Sequence, residues 1–288
     1  MASRQPPRPS SQFLPVLQYS DRFDYPLTFE ELKYWTISPS LVPPLTLRGG
    51  RQGELFEKTN GFYHLPGRTH LVKLRQRREK FSRQKWFIAR AVVESLRGFP
   101  TILAVYVTGA LAMSNCQEND DLDLMVVTSP NTLWVTRFLL FLYLTLKSLR
   151  RPSHLPEHSS PRVRDKICDN LYLDSSFLTI QLQNIYTAHE ILQAKCLWDR
   201  GGIHPQFLQA NSWVKNYLPV AYTESNKNFK LQNLKLNKNL KLKIENLLLW
   251  PINLFFFALQ YLYMKPKMIS ERVGLHFAFF HPNSPPGP

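Results

Sequence analysis

Asp121 and Asp123 stand two positions apart at the head of an apolar run, Asp121-Leu-Asp123-Leu-Met-Val-Val127. A strand puts both carboxylates on one face and sends Leu122 and Leu124 to the other, because side chains there alternate with a period of two. Upstream, Thr101-Ile-Leu-Ala-Val-Tyr-Val107 is almost continuously apolar and is closed by Gly109, the pattern of a strand buried on both faces. Residues 105–128 therefore read as strand, polar loop, strand. This commits the chain to a sheet carrying a carboxylate pair near one end.

Around that segment, periodicity predicts an apolar helix over 131–149, a third strand over 167–173, and helices around 185–197 and 205–217. Strands alternating with helices predict an α+β fold with a mixed sheet and flanking helices. Thr28-Phe-Glu-Glu31 has the form of a capping box, and Asn60-Gly61 between two strand-like runs is a hairpin signal. Helices followed by a hairpin make residues 18–67 a winged-helix-like module. The expected organisation is a disordered tail over 1–17, that module, a basic linker helix over 68–97, a core over 98–180, a helical C-terminal region over 181–276, and a tail over 277–288.

The charge is strongly positive, 36 Lys+Arg against 21 Asp+Glu, which attracts polyanions and says nothing of fold. Residues 68–97 contain no Gly or Pro and carry ten of the Lys/Arg against Glu79 and Glu94, a candidate stripe for nucleic-acid phosphates or simply a solvated helix face. Cys116, Cys168 and Cys196 form no CxxC pair and leave one over however they join, so a reduced, cytoplasmic protein without a zinc site is expected. Leu247–Met264 is as apolar as a membrane span but is interrupted by Pro251, Asn253 and Gln260. It is expected to be a buried helix or one lying on a membrane surface, which would make the protein membrane-peripheral.

Two carboxylates aimed at one point repel unless a cation lies between them, and hard oxygen ligands suit Mg²⁺ or Mn²⁺ carrying nucleotide phosphates. Gly109 would let backbone N–H groups approach phosphate oxygens where a side chain would obstruct. The order apolar strand, Gly109, Ala110, a gap, then Asp121-Leu-Asp123-Leu resembles the signature of the DNA polymerase β superfamily of nucleotidyltransferases. The usual second small residue there is Gly or Ser, so Ala110 departs from the pattern, and Thr108 or Ser114 would supply the missing hydroxyl. Leu133-Trp134-Val-Thr136-Arg137, Tyr186-Thr-Ala-His189-Glu190 and Phe207-Leu-Gln-Ala-Asn211-Ser-Trp213 are similar to segments of uncharacterised bacterial nucleotidyltransferase-like proteins.

The resemblance implies a nucleoside triphosphate as substrate, its phosphates on Thr108, Gly109, Ala110 and Ser114; Arg137, one turn into the apolar helix after the second strand, is placed to reach that triphosphate. It also implies a third carboxylate from a later strand, for which Asp169 and Asp174 are the candidates, with Glu190 on a later helix as a third possibility. If Ile167–Leu173 alternates regularly, Asp169 shares the face of Ile167, Leu171 and Leu173, where an unpaired carboxylate would be costly. Asp169 is therefore expected beside Asp121 and Asp123, as metal ligand and catalytic base. The alternative expectation is a nucleic-acid-binding protein whose transferase core has lost catalysis.

Overall fold

The structure, a computed structural model, describes residues 11–38, 55–152, 161–230, 240–268 and 271–280. The chain begins with a turn of 3-10 helix and α1 (Leu14–Asp21), followed by β1 (Leu27–Thr28) and α2 (Phe29–Tyr34). The hairpin β2 (Glu57–Thr59) and β3 (Phe62–His64) completes a three-stranded sheet of order β1-β3-β2. Its turn holds Asn60 and Gly61 at φ 49° and 86°, the left-handed pair that a two-residue hairpin needs. The capping box is present: Glu31 N donates to Thr28 Oγ1 and Thr28 N donates to Glu31 Oε2. Residues 11–17, expected in a disordered tail, are ordered here because Phe13, Leu14, Val16 and Leu17 are buried. Of the expected N-terminal module, residues 39–54 lie outside the described residues.

The expected long helix is α3 (His70–Leu96). Four of the ten basic side chains over 68–97 are consumed structurally. Arg75 is buried, gripping both carboxylate oxygens of Glu31 at 2.8 Å and lying over the rings of Tyr25 and Phe62. Arg68 pairs with Asp21 and Asp24, and Arg78 donates to Phe23 O and Asn115 Oδ1. Lys85 is 2 % exposed and donates to Asp165 at 2.7 Å and to the carbonyls of Asp120 and Glu118. Lys73, Arg77, Lys80 and Arg83 remain on the solvent side.

Beyond α3 come β4 (Ile102–Val107), the short α4 (Gly109–Ala112), β5 (Leu122–Thr128), α5 (Leu133–Leu146) and β6 (Ile167–Asp174). After them lie α6 (Ile185–Gln193), β7 (Lys195–Asp199), α7 (Ile203–Ala210), α8 (Pro219–Lys230), α9 (Leu240–Met264), β8 (Arg272–Val273) and β9 (Phe277–Phe279). The second sheet has six strands in the order β7-β4-β5-β6-β9-β8, with β5 and β6 parallel and the other neighbours antiparallel. The class is thus α+β with a mixed sheet and flanking helices.

Three expectations about elements are corrected. The helix expected over 185–197 ends at Gln193, and Lys195–Asp199 instead pairs with the open edge of β4. The region 181–276 is therefore not wholly helical. Phe277–Phe279, expected in a tail, pairs with β6 and buries Ala278.

Each sheet face has its own core. Ala104, Tyr106, Met125, Val127 and Leu173 face a layer formed by α1, α2, α6, α7 and α8. Leu27, Leu32, Trp35 and Tyr63 belong to that same cluster, so the N-terminal module shares its core with the large sheet. Val105, Val107, Leu124, Val126 and Tyr172 face α3, α5 and α9.

Candidate metal and nucleotide site

β5 opens with the expected alternation. Leu122 and Leu124 enter the core shared with α3 and α5, so Asp123 points to the opposite face, that of Met125 and Val127. β4 stops at Val107, and Thr108 N donates back to the Asp123 carbonyl at 3.0 Å, which brings the start of α4 against the carboxylate strand. Gly109 there has φ 61°, and a Cβ on it would lie 2.5 Å from Asp123 Oδ2. Glycine is required twice over, by a backbone region that L-residues avoid and by the space the carboxylate occupies.

Two other acids of the loop serve structure. Glu118 pairs with Arg164 at 2.8 Å, and Asp120 accepts from Gln117 N at 2.8 Å. Ligand atoms of Asp121, Asp123 and Cys168 all lie within 4.8 Å of one another. Cys168 is there because parallel pairing sets it directly opposite Asp123. Asn170 Nδ2 donates to Asp123 Oδ1 at 2.8 Å. Arg151, which follows α5, brings Nε to 3.2 Å from Asp121 Oδ2 and donates to Cys168 Sγ. Burial, then the two carboxylates, push the Cys168 thiol well above its ordinary pKa despite that guanidinium, so the thiol is protonated at neutral pH.

Asp169 is not in this group. Between Asp123 and Met125 the partner strand advances from Cys168 to Leu171, one residue more than β5 does. That bulge breaks the regular alternation on which the expectation rested. Cys168 and Asn170 reach the Asp123 side, while Asp169 turns to the α5 side. There it is buried, accepts from Tyr172 Oη at 2.9 Å and pairs with Arg150 at 3.3 Å. The carboxylate does meet a cation on an apolar face, but the cation is a guanidinium. Asp174 sits at the far end of β6, opposite Thr128, fully buried as an anchor for the N–H groups of Asn131 and Ser176.

Glu190 lies on α6 beside Tyr19, and burial pushes its pKa up to about 7. Its neighbour His189 stacks on Tyr19 with ring centroids 3.9 Å apart and is held neutral by burial, with a pKa of about 3.

Among the expected phosphate-contacting residues, Thr108, Gly109 and Ala110 form the turn into α4. Ser114, at φ 55°, closes that turn and accepts weakly from Trp86 Nε1. Arg137 does not belong to the site. It donates to Gln260 of α9 and lies 4.3 Å from the Phe280 ring centroid, on the opposite side of the sheet from Asp123, where burial lowers its pKa.

Sequence reasoning missed Cys168, Asn170 and Arg151 as the neighbours of the carboxylate pair. The signal for Cys168 was present in its register with Asp123, but reading it requires knowing that β5 and β6 run parallel. The two carboxylates, with the Cys168 sulfur beside them, are placed so that they could hold a metal ion. The close fit of Gly109 to Asp123 leaves the carboxylate side of α4 free of side-chain bulk. No family model, curated protein or solved structure matches the chain.

Proposed function

We propose that the chain is a metal-dependent nucleotidyltransferase that moves a nucleoside monophosphate from a nucleoside triphosphate to an acceptor hydroxyl. The observation that carries this reading is the pairing of Gly109, at left-handed φ and against Asp123, with Asp121 and Asp123 at the mouth of β5. Asp121 and Asp123 would hold Mg²⁺ or Mn²⁺, which when bound supplies positive charge to the phosphate oxygens. The N–H groups at the turn from Thr108 to Ala110 would hold those oxygens, with no Cβ at position 109 to keep them away. Asn170 orients the Asp123 carboxylate through its 2.8 Å hydrogen bond. Arg151, paired with Asp121, offers a cation beside the carboxylates, suited to balancing charge on departing pyrophosphate. Under this reading, residues 18–67 act as a winged-helix-like module and the exposed cations of α3 as the approach for a polyanionic acceptor.

A second reading is favoured by one observation, the turning of Asp169 to Arg150 and Tyr172. Without a third carboxylate on the Asp123 face, the site binds the metal and triphosphate but has no base on β6 to activate an acceptor. Titration calorimetry of ATP with Mn²⁺ or Mg²⁺, compared between the native chain and Asp123→Asn, tests both readings at their root. Metal-dependent binding lost in the variant supports the site, whereas binding unchanged by the variant refutes it. Pyrophosphate release from bound ATP then separates transfer from binding alone.

A further inference from the structure

α5 and α9 pack side by side over the sheet face opposite Asp123, and they are apolar on the side that faces away from it as well. The inner stripe of α9 is explained by α5: Asn253 Oδ1 accepts from Trp134 N at 2.7 Å, Gln260 Nε2 donates to Trp134 O at 2.9 Å, and Phe256 stacks on Phe138. The outer side is not explained in this way. Phe255 is 63 % exposed, Leu262 and Tyr263 are 69 %, and Leu146 of α5 is 84 %. From Leu247 to Met264 there is no charged residue. A helix apolar all round calls for cover on every side, and among the described residues only the side against α5 has it.

We infer that this two-helix face docks onto an anionic lipid surface. Charge selects the occupant: exposed Lys147 and Lys265 stand at its margins on a chain of net charge +15, which attracts acidic headgroups and repels a second copy of itself. Aromatic side chains with polar tips, Trp250 near one end and Tyr261 and Tyr263 near the other, match the boundary between acyl chains and headgroups. The two ends lie about 20 Å apart along the axis at 1.5 Å per residue. The hydrogen bonds of Asn253 and Gln260 hold α9 against α5, so it lies in the surface and does not cross it. No helix among the described residues is long and apolar enough to cross a membrane. Docking on this face leaves Asp121 and Asp123 on the other side of the sheet, away from the lipid.

The test is co-sedimentation of the full chain with vesicles of phosphatidylcholine mixed with phosphatidylglycerol, and with phosphatidylcholine alone. The native protein should sediment with the mixed vesicles and much less with the neutral ones. The variant Phe255→Ser/Leu259→Ser/Leu262→Ser, all on exposed positions, should melt as the native chain does and lose binding by about tenfold or more. A companion variant with Lys73, Arg77, Lys80 and Arg83 changed to Gln should keep most of the binding. The inference is overturned if the native chain ignores both vesicle types, or if the α3 variant rather than the α9 variant abolishes binding. It is equally overturned if the native chain is a dimer that the α9 variant converts to monomer, since a second copy would then cover the face.

Discussion

Gly109→Ala separates a requirement of the backbone from a requirement of the site, because Gly61 provides a control. Both glycines have positive φ, 61° and 86°, but a Cβ on Gly61 meets nothing within 4 Å, whereas on Gly109 it lies 2.5 Å from Asp123 Oδ2 and 3.3 Å from Cγ. The left-handed penalty for alanine is about 1 kcal/mol at either position. At Gly109 the carboxylate must also swing away. It then strains or breaks the charge-assisted bond from Asn170, adding about 2–4 kcal/mol. Gly61→Ala should therefore cost about 1 kcal/mol and Gly109→Ala about 3–5 kcal/mol, melting shifts of about 2 °C and 6–10 °C for a chain of this size. Differential scanning calorimetry of the two variants beside the native protein measures both shifts, and calorimetry with Mn²⁺ and ATP follows the fate of the carboxylate. Equal melting shifts at the two glycines would show that Asp123 does not occupy the space assigned to it.

Acid should destabilise the fold with a slope set by buried groups. His189 and His204 are held neutral by burial at about 3 and about 4, while Glu190 is held protonated up to about 7. Between pH 6.5 and about 4.5 unfolding takes up two protons at the histidines and releases one at Glu190, so stability falls by about 1.4 kcal/mol per unit as pH drops. In urea titrations His189→Phe should flatten that window, and an unchanged slope would refute the assignment. Lys85→Met should cost about 3–5 kcal/mol by stranding Asp165 and two carbonyls, with Asp165→Asn in the same chain restoring part of it. A melt insensitive to Lys85→Met would mean that the lysine is not structural. Replacing exposed Lys73, Arg77, Lys80 and Arg83 with Gln should lower the salt dependence of heparin binding by about one unit of slope per contacting charge. Arg75→Gln should lower the melting temperature instead, because its guanidinium holds Glu31 and Pro26.

Strong periodic signals passed directly into structure. β5 occupies Leu122–Thr128 and α3 fills 70–96, because each is specified by its own residues: alternation in one, an uninterrupted run without Gly or Pro in the other. The capping box and the Asn60-Gly61 turn were equally local. What was hidden depends on partners distant in sequence. Lys195–Asp199 looks helical until the open edge of β4 recruits it, and Phe277–Phe279 looks like a tail until β6 does. The site was half readable on the same grounds. Asp121, Asp123 and Gly109 follow from spacing, whereas the bulge that turns Asp169 away and leaves Cys168 beside Asp123 arises only when β6 pairs in parallel with β5. The basic helix shows the limit of reading charge by count: a guanidinium facing Glu31 and one facing water are identical in sequence.

The position of β9 has a consequence for how the molecule is made. Leu173 of β6 pairs with Phe277, a partner that leaves the ribosome roughly a hundred residues later, a strongly non-local strand pairing. Until then the growing chain carries β4, β5 and β6 with the outer edge of β6 unpaired, its N–H and C=O groups offered to any neighbouring strand. At synthesis rates of about 5–20 residues per second that edge stays open for several seconds, long enough for a chaperone to bind it or for two nascent chains to pair wrongly. Substitutions that weaken β9 should therefore first reduce the yield of folded protein, even where the finished molecule tolerates them.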